Sequence, residues 1–283
     1  MLSSVRELLE RTFSPQAYQR VRFYSWYSRF YLPRLIASSF IRRTPNVQGF
    51  PAGRASELVH QLGRVNVFAP TNMCRVMTRH GSDKGWYRHN YTTVYSVLFG
   101  RLRDQPLRIF ELGVLSGASL RGWRELFPRA LVFGADVNRD ALFEEDRIKT
   151  FYCDQLDSAA IRGLWSQPVL QGGMDIIIDD GEHTFEGNTS FLDGSLEHLR
   201  PGGVYVIEDI HPRTMEKWRN ELETVYSKRY PSHEFVYVEL PNSFNDQDNN
   251  LLVIRRSREP GQPAQSGGLD AREDRAPAPT AGK

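Results

Sequence analysis

Cysteine is scarce: Cys74 and Cys153 are the only two in 283 residues, and neither belongs to a CxxC pair. That excludes a disulfide framework and a thiolate zinc site, and it fits a reducing compartment. Long apolar runs are missing too. The most apolar stretch near the N-terminus, FYLPRLIASSFI, is interrupted or flanked by Arg29, Arg34, Arg42 and Arg43. No transmembrane helix is therefore expected, and a cytoplasmic location is. Acid is rare at the front: residues 1–106 carry 16 of the 36 Lys and Arg but only 5 of the 34 Asp and Glu. The front is thus formally +11 and the remainder −9, from a net +2. Such asymmetry bears on association rather than fold. It suits a phosphate-bearing partner or an anionic surface; packing of the two parts on one another, or on a second subunit, is the preferred reading.

What is present divides the chain in three. Residues 1–75 read as a basic, aromatic-rich helical extension, because Phe23, Tyr24, Trp26, Tyr27, Phe30 and Tyr31 recur at helical intervals. Residues 257–283 are built of Pro, Gly, Ala and charge around one Leu, and are expected to be a disordered tail. Between them, over 76–256, apolar runs alternate with helical patterns: LRIFELG, ALVFGADV, IKTFYCD, MDIIIDD and GGVYVIED. Helices are expected for ASLRGWRELF and for residues 158–165, 188–199 and 214–228. Continuous apolar strands separated by helices predict a parallel sheet covered on both faces. The last two runs, HEFVYVEL and NNLLVIRR, have only a polar loop between them and read as an antiparallel hairpin at the sheet edge. The expected fold class is α/β: a doubly wound, mostly parallel, Rossmann-like sheet with a terminal antiparallel hairpin, the order of a class I methyltransferase.

Function is sought where the strands end, since ligands of doubly wound sheets bind beyond the carboxyl ends. In FELGVLSGASLRGW, Gly113 and Gly117 sit between strand and helix, with Ser116 before the second glycine. Their spacing is not the GxGxxG that seats a pyrophosphate, which points to a ligand without phosphate there, such as S-adenosyl-L-methionine. Glu111 is a candidate to orient the methionine moiety. Asp136, closing the second strand, is placed to accept both ribose hydroxyls. Asp154 and Gln155, closing the third, are placed to meet the adenine edge, although Asp154 reads equally well as a helix cap.

The fourth strand stops on Asp179-Asp180-Gly181-Glu182-His183 and the fifth on Glu208-Asp209. If these strands are neighbours, their ends lie about 5 Å apart and their acids can share one cation. Oxygen donors select a hard ion, Mg2+ or Mn2+. Consecutive strand residues face opposite ways, so Asp180 and Asp209 are favoured over Asp179, and Glu208 joins Asp209 only if the strand has ended. His183, three residues beyond Asp180 through a glycine turn, is the candidate general base, with an imidazole suited to neutral pH.

From His80 to Ile254 the chain resembles the class I S-adenosylmethionine-dependent methyltransferases. Within them it is most similar to the metal-dependent macrolide-sugar O-methyltransferases of the mycinamicin type. The matching pieces are HGSDKG, HNY, FELGVLSGASLRGW, GADV, CDQ, IIDDGEH and LRPGGVYVIED. The resemblance implies that Asp180, Glu208 and Asp209 bind Mg2+ and that His183 is the base. It also implies a small-molecule hydroxyl acceptor such as a sugar, no nucleic-acid partner, and a homo-oligomer. Residues 80–95 would form a lid offering Lys84, His89 and Tyr91. Glu182 stands where the family usually has Ser. A nonenzymatic cofactor-binding or scaffold subunit with a basic arm is the alternative. A nucleic-acid methyltransferase is disfavoured by the lack of an NPPY-like motif.

Overall fold

The structure, a computed structural model, describes residues 44–53, 56–69, 71–85, 88–241 and 248–258. The aromatic segment around Phe23–Tyr31 and the tail beyond Arg258 lie outside the described residues.

The strands are β1 (Asn46–Phe50), β2 (Arg108–Leu112), β3 (Leu131–Asp136), β4 (Glu144–Glu145), β5 (Ile148–Tyr152), β6 (Met174–Asp179), β7 (Leu199–Ile207), β8 (His233–Glu239) and β9 (Asn250–Arg256). They form one sheet in the order β1-β8-β9-β7-β6-β2-β3-β5-β4. The five central strands β5, β3, β2, β6 and β7 are mutually parallel, and β9 runs antiparallel to β7. The helices are α1 (Glu57–Gly63), α2 (Asn72–His80), α3 (Tyr91–Phe99), α4 (Ala118–Leu126), α5 (Ser158–Trp165), α6 (Phe185–Ser195) and α7 (Met215–Glu221).

The five apolar runs are thus the parallel strands, and their lack of polar alternation follows from burial on both faces. Ile109, Val132, Ile176, Ile178, Val204 and Val206 pack with Tyr95, Phe99 and Trp123 of α3 and α4. Phe110, Phe133, Ile177, Tyr205 and Ile207 pack oppositely, with Trp165, Phe191 and Trp218 of α5, α6 and α7. Each face buries large aromatics, and removing one such side chain typically costs about 3–5 kcal/mol.

Three expectations are corrected. The extension does not stay helical to residue 75: β1 pairs antiparallel with β8, and Leu58, Leu62, Met73 and Met77 enter the first core. The hairpin β8–β9 is consequently not the sheet edge; β1 is. The segment 80–95, expected as a lid, is largely core over its described residues. Lys84, His89, Asn90, Tyr91 and Tyr95 are all buried, and α3 packs on α2 inside the first core layer. A smaller shift concerns α6, which begins at Phe185 because Thr184 caps it, its hydroxyl accepting from the Gly187 N–H at 3.0 Å.

The two-residue period decides which acids meet. Glu111, Asp180 and Glu208 follow Ile109, Ile178 and Val206 by two positions and turn toward α3 and α4. Asp179 follows Ile177 and turns to the other face, where it is 1% exposed and its Oδ2 has no hydrogen-bond partner.

Burial pushes the Asp179 carboxyl from 3.8 up to about 8. Between those values the unfolded chain releases a proton that the folded chain keeps, so this group lowers stability as pH rises from about 4 to about 8. Asp179→Asn cannot ionise. Its midpoint in urea should match wild type near pH 4 and exceed it increasingly toward pH 8; a pH-independent difference would refute the assignment.

Gly113 has φ +91°, and a Cβ there would sit 2.0 Å from the Asp180 carbonyl oxygen. Gly113→Ala should lower unfolding free energy by about 2–4 kcal/mol in urea titrations. A loss below about 1 kcal/mol would mean that β2 and β6 part easily at their ends.

Candidate functional site

A cavity of about 550 Å3 opens at the carboxyl ends of β2, β3, β5 and β6, within the size range of small-molecule sites. Gly113, Asp136, Asp154, Gln155, Asp180, Glu182, His183 and Asp209 all line it. Val137 and Leu156, 59% and 55% exposed, give it apolar walls.

Asp136 does two jobs at once. Its Oδ2 accepts from the backbone N–H groups of Val114 and Leu115 at 2.8 and 3.0 Å, clamping the glycine loop, while Oδ1 accepts from Asn138 N–H at 2.8 Å. Asp154 is not the helix cap: Asp157 caps α5, and Asp154 Oδ1 holds the Leu156 N–H at 2.9 Å. Gln155 Oε1 accepts from Glu182 N–H at 2.7 Å. A Cβ on Gly181 would lie 1.9 Å from that oxygen, so only glycine fits in the turn. The Nε2 of Gln155 is buried and has no hydrogen-bond partner.

Three of the expected cofactor residues are elsewhere. Glu111 is fully buried away from the cavity, accepting from Ser119 Oγ and Trp123 Nε1. Burial raises its pKa, against the lowering pull of Lys84 at 3.6 Å. Gly117, at φ +71°, serves packing: a Cβ would strike the Phe143 ring at 2.4 Å. Ser116 borders a smaller adjacent hollow with Lys84 and Asp180.

At the other end of the cavity the acids of β6 and β7 converge. One donor atom each from Asp180, His183 and Asp209 lies within 4.8 Å of the others, and His183 Nε2 is 3.6 Å from Asp209 Oδ2. The strand β7 has ended before Asp209, whose φ of +54° swings its carboxylate back beside Asp180's side of the sheet. Asp209 Oδ1 accepts from Tyr91 Oη at 2.5 Å and meets His89 Nδ1 at 3.1 Å. Burial raises the Asp209 pKa, with His89 the chief opposing influence.

The expected acid trio comes together only in part, because Glu208 stands outside that group. Its two oxygens accept from Lys84 Nζ, at 2.7 Å, and from Tyr95 Oη. Lys84 Nζ also donates to Asp180 Oδ2 at 2.5 Å. Burial alone would lower the Lys84 pKa, but Asp180, Glu111 and Glu208 together hold it well above its ordinary value. Burial likewise pushes Glu208 well up, although Lys84 pulls it down.

Lys84, His89 and Tyr91 therefore belong to the site as its inner supports. Tyr95 was missed by sequence reasoning; its four-residue spacing from Tyr91, on one helix face, is the signal that could have found it. Positive φ marks the site as well. Of five such non-glycine residues described, Leu115 and His183 line the cavity with Asp209, and Asn90 joins His89 to Tyr91. Such conformations cost about 1–3 kcal/mol each and gather at functional sites.

No family model matches the chain. In sequence it is 38% identical over 139 residues to 8-demethyl-8-alpha-L-rhamnosyl tetracenomycin-C 2'-O-methyltransferase of Streptomyces olivaceus, covering 47% of this chain and 36% of that protein. It is 34% identical over 147 residues to mycinamicin VI 2''-O-methyltransferase of Micromonospora griseorubida, covering 49% and 36%. The chain thus spans little more than a third of the length of these curated relatives. Among solved structures, the MycE methyltransferase of the mycinamycin pathway, in complex with Mg, SAH and mycinamycin VI, aligns with a TM-score of 0.52. The identity is 25%, over 71% of this chain and 58% of that one. The described residues accordingly form a class I methyltransferase fold, and the chain is similar in sequence to the O-methyltransferases that act in macrolide and tetracenomycin biosynthesis.

Proposed function

We propose that the protein is an S-adenosylmethionine-dependent O-methyltransferase acting on a hydroxyl of a small molecule, most specifically a sugar of a glycosylated natural product. The observation that carries this reading is the meeting of Asp180, His183 and Asp209 at one end of a nucleoside-sized cavity. An assembly of like subunits, without nucleic acid, is part of the same proposal and rests on the resemblance alone.

The donor set fits a hard divalent ion. Two carboxylates would reach it from the ends of neighbouring parallel strands, with an imidazole beside them. When bound, the cofactor supplies an electrophilic methyl group and the ion a Lewis acid toward the acceptor hydroxyl. The chain's own groups do the rest. Asp136 would accept from the ribose hydroxyls with the lone pairs left over from the loop, and Gln155 would border the adenine. Asp180 and Asp209 would hold the ion. His183 Nε2 takes the hydroxyl proton, and Asp209 stabilises the resulting imidazolium. His89 and Tyr91 keep Asp209 aimed. Val137 and Leu156 exclude water from the nucleoside.

His183→Ala should lower kcat about 10²–10⁴-fold toward a rhamnosylated acceptor while leaving cofactor affinity, read by calorimetry, within about threefold of wild type. Retained turnover would remove His183 from the mechanism; a protein that binds cofactor but transfers no methyl in any form would be a binding subunit instead. Asp209→Asn should abolish detectable Mn2+ binding in spin-resonance titrations, since a neutral amide replaces the carboxylate shared by the ion and His183. Undiminished Mn2+ binding by that variant would place the ion elsewhere.

A further inference from the structure

Lys84 is 1% exposed, and the tip of its side chain lies between the ends of two neighbouring strands. Its ammonium is 2.5 Å from Asp180 Oδ2, 2.7 Å from Glu208 Oε2 and 3.6 Å from Glu111 Oε1. Its backbone is fixed as firmly. Lys84 O accepts from Thr92 N–H at 3.2 Å, and its N–H donates to Ser82 Oγ at 3.3 Å. The next residue, Gly85, packs so closely that a Cβ would lie 2.7 Å from Thr78 Oγ1. This is a tethered cation held where it cannot easily leave.

The two oxygens it occupies come from the strand ends that supply a divalent ion with its donors. Ammonium and dication both seek carboxylate oxygen, and neither tolerates the other's charge within a few ångströms. We propose that Lys84 is an internal competitor of the divalent ion for Asp180 and Glu208, and so sets how tightly that ion is held. The proposal rests on the metal reading given above. Lys84 neutralises part of a cluster of four acids, Glu111, Asp180, Glu208 and Asp209, that could not otherwise be buried together. Its presence divides them: Glu111 and Glu208 answer to the ammonium, Asp209 to the ion and the histidines, and Asp180 to both. The intramolecular cation acts at high effective concentration, which keeps divalent affinity moderate and the ion exchangeable.

The test is Mn2+ binding to the full chain, without cofactor or acceptor, read by the spin-resonance signal of free Mn2+. Lys84→Met keeps the aliphatic stem and removes the charge, and it should bind Mn2+ at least about tenfold more tightly than wild type. A residue that merely supports the fold would give the opposite sign, so equal or weaker binding by the variant overturns the proposal. If Lys84→Met does not fold in chelator, competition requires that Mn2+ replace the lost charge and restore a cooperative melt; failure of that rescue overturns the proposal as well. Wild type that binds no Mn2+, together with a variant that binds none, overturns the metal reading itself. Wild type that binds Mn2+ with no gain in the variant overturns only the role of Lys84.

Discussion

The arrangement depends on burying carboxylates beside one ammonium. Glu111 and Glu208 are essentially inaccessible, and Asp180 and Asp209 are partly buried beside them. A lone buried charge is costly enough that the group would ordinarily take up a proton. Lys84, with Tyr91, Tyr95, Ser119 and Trp123 as donors, supplies the opposing charge and the hydrogen bonds that make the cluster tenable. Every one of these partners comes from α3, α4 or the turn before α3. The layer covering the first sheet face is therefore a support for the strand ends as much as a hydrophobic cover.

A second constraint is backbone conformation. The parallel strands deliver their last residues side by side, but alternation would send Asp209 away from Asp180. The left-handed turn at Asp209 and the one at His183 reverse that, at a local cost repaid by the surrounding hydrogen bonds. Gly113 and Gly181 permit the close approaches these turns require, one against the Asp180 carbonyl and the other against Gln155. The cavity wall at Gln155 and the acid cluster are thus mechanically joined, since Gln155 grips the Glu182 N–H in the turn that also carries His183.

Glu182 lines the cavity with Asp83, Asp136, Asp154, Asp180 and Asp209, and among the described residues no Lys or Arg lines it. A wall so rich in carboxylate favours cationic and neutral occupants, which agrees with a sulfonium and an uncharged sugar hydroxyl. The Glu182 carboxylate adds to that field beside His183.

Much was legible in the chain alone. Apolar runs without alternation declared strands buried on both faces, and their abrupt polar ends at Asp136, Asp154, Asp180 and Asp209 marked the cavity. These are local properties, carried by residues adjacent in sequence. Three things were not legible. β1 and the burial of α2 and α3 depend on contacts with strands far along the chain, so the 80–95 segment read as a lid rather than as core. The pairing of Glu208 with an ammonium depends on a lysine 124 positions away. The retreat of Glu111 from the cavity depends on α4 folding back over β2. Sequence determined which parallel strands form and where their polarity breaks, because period and hydropathy are local. Only the tertiary structure decided which cation each carboxylate meets, because electrostatic pairing in a buried site is set by distance in space.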